Sequence, residues 1–310
     1  MGDIVLQTRN LAKRFGTLTA VEDLSLEIRA GEIFGFLGPN GAGKTTSINM
    51  MCGLLKPDSG QVFIQGKPVH GGSMEVRARV GMCPQEAILW EKLSCLEQLE
   101  FMGEMYGVPR RIARKRGMYL LETLGLAAKR YQTAAVLSGG MRRRLNLALA
   151  LVHDPEIVVL DEAEAGLDLQ SRLLVREYIR SLAHKKTVVL TTHNMDEADR
   201  LVDRTAIIDH GRLLVVDTPE ALKRTIGEGD MLEIRVNPLE IQAALQIVSQ
   251  LAPEAQVVDQ SLMVHGRMTI ELLPEIMQAL GGRGVEIQDM HLRTNTLEDV
   301  FIALTGRRLR

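Results

Sequence analysis

The apolar run Ile33–Leu37 leads directly into G-P-N-G-A-G-K-T, Gly38 to Thr45, and then into a stretch with helical character. This succession constrains the chain more than any other, because a glycine-rich loop between a strand and a helix holds phosphates. Glycines let successive backbone N–H groups curl round an anion, and the helix N-terminus adds positive potential. In such a loop Lys44 reaches the β- and γ-phosphates and the Thr45 hydroxyl meets Mg²⁺. Gly38, Pro39, Asn40, Gly41, Ala42, Gly43, Lys44, Thr45 and Thr46 are therefore the expected nucleotide-binding residues.

A second apolar strand, Ile157-Val158-Val159-Leu160, ends in Asp161-Glu162. A carboxylate at the carboxyl end of a central strand beside a phosphate loop is placed to hold Mg²⁺, the role that suits Asp161. Glu162, one residue on, is placed to accept a proton from an attacking water. An acidic pair after a strand is more often a helix cap when it stands alone; the phosphate loop reverses that preference.

Short β-type runs alternate with helical patterns over most of the chain, which predicts an α/β fold with a largely parallel sheet. Strands are expected at Val21–Ile28, Ile33–Leu37, Val62–Ile64, Val80–Met82, Ile157–Leu160, Thr187–Thr191 and Thr205–Ile208. Strand signals vanish over residues 86–150, where Leu96–Tyr106, Ile112–Leu124 and Met141–Val152 form a helical insertion. Thr218-Pro219 opens a helix that closes a first domain at residues 1–225, and Gly227 to Asp230 forms a linker. Residues 231–310 follow a β-α-β-β-α-β order, a small α+β domain that ends in one more helix.

Apolar residues make up 45% of the 310-residue chain and charged ones 25%, the balance of an ordinary globular protein. A net charge of −2 lacks the basic excess of a dedicated nucleic-acid binder, so no nucleic-acid partner is expected. The three cysteines, Cys52, Cys83 and Cys95, make neither a disulfide framework nor a zinc site and suit a reducing cytosol. No signal peptide and no run of about 20 apolar residues is visible, so a membrane role would be peripheral.

Three further features occur in order with the two above. Gln85 lies in M-C-P-Q-E; Leu137-Ser138-Gly139-Gly140-Met141 precedes a helix carrying Arg142, Arg143 and Arg144; and His193 follows a strand in T-T-H-N. With the phosphate loop, Asp161-Glu162 and Gly166-Leu167-Asp168, the sequence resembles the nucleotide-binding subunits of ABC transporters, P-loop cassettes with a mostly parallel sheet and a helical subdomain. Each short motif is weak alone; six in this order are specific. The resemblance is strongest over residues 1–225. Residues 231–310, ending T-L-E-D-V-F-I-A-L-T-G, look like the small appendage of drug, antibiotic or polysaccharide exporter ATPases.

The resemblance implies an ATPase using ATP and Mg²⁺, with Glu162, His193 and Gln85 catalytic and Thr45, Gln85 and Asp161 around the metal. Two copies would stack head to tail with ATP between them, so that Leu137, Ser138, Gly139 and Gly140 meet the partner's ATP and Asp168 couples the sites. Phe15 stands where the family stacks an aromatic on adenine; an ordinary core aromatic is the other reading. The subunit would energise export through separately encoded permease subunits on the cytoplasmic face of the membrane, with Trp90 near the permease groove or in the core. A soluble assembly ATPase and a low-turnover regulatory subunit are the alternatives.

One departure bears on turnover. The family usually reads D-E-P-T-[SA]-G-L-D, whereas this chain has Ala163 and Glu164 after Glu162. A carboxylate at Glu164 near the phosphates would slow hydrolysis, and one facing away would be neutral. Arg110, Arg111, Arg114, Lys115 and Arg116 form either a solvated face or a surface for anionic headgroups. Arg307, Arg308 and Arg310 read as a solubilising tail.

Overall fold

In the computed structural model, which describes residues 3–69, 78–226, 230–258, 260–266 and 269–307, the chain opens as a long antiparallel hairpin. Its strands are Ile4–Phe15 (β1) and Leu18–Arg29 (β2), and Ser59–Ile64 (β4) and Lys67–Pro68 (β5) complete a four-stranded sheet in the order β2-β1-β4-β5. All its pairings are antiparallel, a layer that stands beside the largely parallel sheet expected from the sequence. β1 escapes the sequence pattern because its register shifts between Thr8 and Leu11, and Asn10 takes a positive φ of 49°. Such bulges break the period-two alternation by which a half-buried strand is recognised.

The parallel prediction holds in the second sheet. Ile33–Leu37 (β3), Val80–Cys83 (β6), Ile157–Asp161 (β7), Thr187–Thr192 (β8), Arg204–Asp209 (β9) and Arg212–Asp217 (β10) run in the order β10-β9-β3-β8-β7-β6. From β9 to β6 every neighbour is parallel, and β10 returns after the His210-Gly211 turn. β3 and β7 are buried along their whole length, which is why they read as unbroken apolar runs. The main core joins both sheets around Leu11, Ile28, Phe34, Phe36, Ile48 and Val159.

Within the expected helical stretch lie helices Cys95–Met105, Arg110–Thr123 and Gly139–Leu151. The first is fixed by a capping box between Ser94 and Glu97. Gly81 in β6 lets the third come close, since a Cβ there would collide with the Ala150 carbonyl oxygen.

By contacts the chain divides into two units, residues 1–194 with 200–216, and residues 195–199 with 217–310. The helix Pro219–Thr225, expected to close the first domain, thus groups with the second unit, where the last helix Leu297–Thr305 packs on it. The expected linker residues 227–229 and the tail residues Arg308 and Arg310 fall outside the described residues. The second unit contains Asp230–Val236 (β11), Gln256–Val258 (β12), Ser261–Gly266 (β13) and Ile287–Thr294 (β14) in the order β12-β13-β11-β14. Its strands are all antiparallel, and helices Ile241–Val248 and Thr269–Gly282 complete the split β-α-β-β-α-β arrangement.

Candidate functional site

In an open parallel sheet, ligands bind beyond the carboxyl ends of the strands. Here four neighbouring strands, β3, β8, β7 and β6, end at the same edge and deliver Gly38–Thr45, His193, Asp161-Glu162 and Gln85. Positions remote in sequence are therefore brought together by strand pairing alone.

The phosphate loop turns through Gly43, at φ 99°, where a Cβ would run into the Ala20 carbonyl oxygen. Helix Lys44–Met51 begins there without any side-chain cap. Five other helices are capped by Ser94, Ser138, Asp168, Thr218 and Thr296, whereas Arg110–Thr123 and Ile241–Val248 also begin without a side-chain cap. At Lys44–Met51 the uncapped N–H groups suit an anion. Lys44, almost fully buried, donates from Nζ to the carbonyls of Gly38 (2.8 Å) and Pro39 (3.0 Å). Burial pushes its pKa down, and the nearby Glu162 and Asp161 charges oppose that shift. Thr45 is exposed at the same helix end.

Glu162 is the hub. Its Oε2 accepts from Gln85 Nε2 at 3.1 Å, and its Oε1 lies 3.2 Å from His193 Nδ1 and 4.0 Å from Lys44 Nζ. Its backbone sits at φ 48°, a left-handed conformation uncommon for glutamate and costly unless its surroundings enforce it. The enforcing contacts include the Thr191 hydroxyl, which accepts from the Glu162 N–H at 3.0 Å. The same hydroxyl donates to Asp161 Oδ1.

Asp161 is buried, and its Oδ2 has no hydrogen-bond partner among the described residues. An unpaired buried carboxylate oxygen is costly and suits a hard cation. Asp161, with the exposed Thr45 hydroxyl and the Gln85 amide, fits a Mg²⁺ whose other ligands are phosphate and water. Among the described residues no cluster of three or more His, Cys, Asp or Glu side chains could hold a metal ion unaided.

No described hydrogen bond joins the signature residues to this centre. Ser138 caps helix Gly139–Leu151 by accepting from the Met141 N–H at 3.3 Å, Leu137 is buried, and Gly139 and Gly140 form the first turn. Asp168 caps the next helix, Leu169–Leu182, through the Ser171 N–H and hydroxyl, which hold its carboxyl below the usual range. Phe15 is 50% exposed, against a core role, with the Lys13 ammonium 5.6 Å from its ring centroid. Trp90, 38% exposed, is not a core residue either and meets Phe101 edge to face at 5.2 Å.

Glu164 ends up otherwise than its possible role beside the phosphates required. Its carboxylate meets Arg176 at 2.9 Å, with both side chains largely buried. The charge is compensated, and the expectation that it slows hydrolysis loses its physical cause. Within the basic cluster, Arg110 and Arg114 both bind the buried Glu100 while staying exposed to solvent, and Arg116 binds Asp154.

Sequence reading missed Thr191 and Arg143. The three consecutive arginines were given no separate roles, yet Arg143 is buried while Arg142 reaches Glu91 and Arg144 the Leu124 carbonyl. The helical period carried the signal, since Arg143 shares its face with buried Asn146, Leu147 and Ala150.

Comparison with known proteins agrees with this geometry. The family described as ABC transporter matches over residues 21–165. The Nod factor export ATP-binding protein I of Ralstonia nicotianae is 38% identical, over 99% of this chain and 95% of its own length. The daunorubicin resistance ATP-binding protein DrrA2 of Streptomyces coeruleorubidus is also 38% identical, over 99% of this chain and 97% of its own. Among solved structures, a dimeric ATP-binding cassette in a post-hydrolysis state with ADP and Pi superposes with a TM-score of 0.64 at 25% identity, covering 69% of this chain and 98% of that one.

Proposed function

The chain belongs to the ATP-binding subunits of ABC transporters, and from that premise we propose that it drives export through a separately encoded permease, with Glu162 as general base. It is an ATPase, and the observation that carries the site reading is the convergence of Gln85, His193 and Lys44 on the Glu162 carboxylate. The loop N–H groups and Lys44 bind the phosphates. Glu162 takes a proton from the attacking water as the bond to the γ-phosphorus forms and the bridge to ADP breaks. Gln85 and His193 orient that carboxylate and the water. Thr45, Asp161 and Gln85 hold Mg²⁺, which neutralises phosphate charge when bound. Phe15 offers an exposed face for adenine.

The signature residues Leu137–Gly140 lie at the N-terminus of their helix, where a second copy's γ-phosphate completes an anion site. A head-to-tail dimer that ATP glues together follows, with Asp168 beside the signature. Names of relatives that refer to export and drug resistance support the export direction. A permease contact is supported by an apolar groove of about 380 Å³ lined by Leu54, Trp90, Phe101, Met102 and Met105. Among the described residues no helix is long and apolar enough to cross a membrane, so membrane attachment would come through that permease. The low-turnover reading rested on Glu164, whose charge Arg176 compensates.

The test is Glu162→Gln in the full chain. The variant should bind ATP, lose nearly all turnover and sediment as an ATP-dependent dimer. Near-normal turnover would remove Glu162 from the role of base, and a nucleotide-independent dimer of equal affinity would remove ATP as the glue.

A further inference from the structure

The guanidinium of Arg143 is almost fully buried and makes no salt bridge with a carboxylate among the described residues. It gives Nε to the Ala163 carbonyl (3.1 Å), Nη1 to those of Pro84 (2.6 Å) and Gln85 (2.5 Å), and Nη2 to those of Asp161 (2.7 Å) and Glu162 (2.7 Å). An arginine has five N–H donors, and here each has its own main-chain acceptor. Three acceptors are consecutive residues at the turn where Glu162 takes φ 48°; the other two, Pro84 and Gln85, directly follow the neighbouring strand β6.

From this geometry we propose that Arg143 is a positioning residue that sets Gln85 against Glu162 and ties both to the helix headed by Ser138. It rests on the reading of Glu162 as base. Main-chain carbonyls that point at one cation fix the backbone from which a side chain springs. Arg143 does this for both partners of the 3.1 Å contact between Gln85 Nε2 and Glu162 Oε2. Bonds from a charged donor are stronger than neutral ones, and the guanidinium plane reaches both segments at once. One turn further along, Asn146 Nδ2 also donates to the Pro84 carbonyl, at 3.2 Å. Ser138 stands five residues before Arg143, about one and a half turns of the same rigid helix. That helix therefore joins the grip on the partner's nucleotide to the base of the chain's own site. Arg143 touches neither Lys44 nor the loop Gly38–Thr45 through any described hydrogen bond, so nucleotide binding should not depend on it.

The experiment compares Arg143→Met and Arg143→Lys with the parent chain. It reads kcat, the affinity for a fluorescent N-methylanthraniloyl-ATP, the half-saturating Mg²⁺ concentration and the folded fraction by circular dichroism. For Arg143→Met, kcat per folded protein should fall about 30-fold or more, the cost of a misplaced reacting group, with nucleotide affinity within about threefold. Half-saturating Mg²⁺ should rise, because Gln85 loses its backbone anchor. Arg143→Lys, with three donors on one atom, should recover part of kcat. A parent-like kcat in either folded variant overturns the proposal, as does a loss of nucleotide affinity in step with kcat, the mark of a general structural role. If Arg143→Met does not fold, Arg143→Lys decides: kcat lowered with affinity kept supports the proposal, and parent values of both overturn it. Glu162→Gln, measured alongside, separates the two readings. An inactive Glu162→Gln with an active Arg143→Met sinks only the positioning role, whereas an active Glu162→Gln sinks the assignment of the base.

Discussion

Asp161 at the end of β7 and Asp299 near the start of the last helix are equally buried, each 1% exposed, but live in opposite circumstances. Asp299 accepts two bonds from Arg293, at 2.5 and 2.8 Å, and further bonds from the N–H and hydroxyl of Thr296. Burial drives its pKa up, yet Arg293 and Thr296 together hold it below the usual carboxylate range. Among the described residues Asp161 has only the Thr191 hydroxyl on one oxygen and nothing on the other. A buried carboxylate whose oxygens are filled by its own chain is a fastener. One left half-filled is stable only by tolerance of the surrounding fold, and its missing partner must come from outside. The cassette unit thus carries an unfinished site, and the C-terminal unit a finished one.

The sharpest way to break this contrast is to remove each carboxylate. Asp161→Ala should cut ATP turnover by about 10²- to 10⁴-fold, since a metal-assisted charge stabilisation of several kcal/mol depends on it. Its urea midpoint should barely move, because the half-paired carboxylate contributes little to folding. A large destabilisation with turnover kept would reverse the comparison. Asp299→Ala should do the opposite, losing about 2–3 kcal/mol through a broken cap and an unpaired, partly exposed Arg293. Turnover per folded molecule should stay within about twofold, and calorimetry with an ATPase assay on the same sample reads both.

His153 is a third case, a buried group that keeps its place by giving up its charge. Burial pushes its pKa from 6.5 to about 4, and its ring stacks on Tyr106 at 3.9 Å. Because the folded value is depressed, the unfolded chain binds the extra proton between those limits. Stability is therefore full above about pH 6.5 and is lost as pH falls toward 4. Between pH 7.5 and 5 the expected loss is about 1–2 kcal/mol, and His153→Phe should flatten that slope in urea titrations. A slope unchanged by the substitution would show that other groups carry it. The smallest effect on turnover belongs to the Glu164–Arg176 pair. Glu164→Thr should cost about 2–3 kcal/mol of stability, because it takes this carboxylate from a largely buried Arg176, and leave kcat within about twofold, because the charge it removes was compensated. A several-fold rise in kcat would mean that Glu164 acts on the phosphates after all.

How far the sequence could be read follows from how far apart the interacting residues lie. The strand–loop–helix at Gly38–Thr45 was legible because its geometry is set within eight neighbours, and β3 and β7 were legible as apolar runs. β1 was not, because its bulges destroy the alternation that marks a strand, and its partners β2 and β4 reveal it only through pairing. The motif order identified Gln85, Glu162 and His193 as members of one site without saying how they meet. Their meeting depends on β6, β7 and β8 lying side by side in parallel.

By itself, then, the sequence determined the local chemistry: a loop that must bind phosphate, an acidic pair after an apolar strand, and a helix headed by Ser-Gly-Gly. Only the tertiary structure decided which charges are answered. Arg143 and Arg144 are adjacent in a basic triplet, yet one fills its five donors at the loops that follow β6 and β7 and the other binds the Leu124 carbonyl. Glu164 sits two residues from Glu162, yet it turns to Arg176, twelve positions on. The physical reason is that a hydrogen bond or ion pair forms over a few ångströms of space, whatever the separation along the chain. Periodicity reports which face a residue occupies, while the identity of its partner exists only once the strands have paired and the helices have docked.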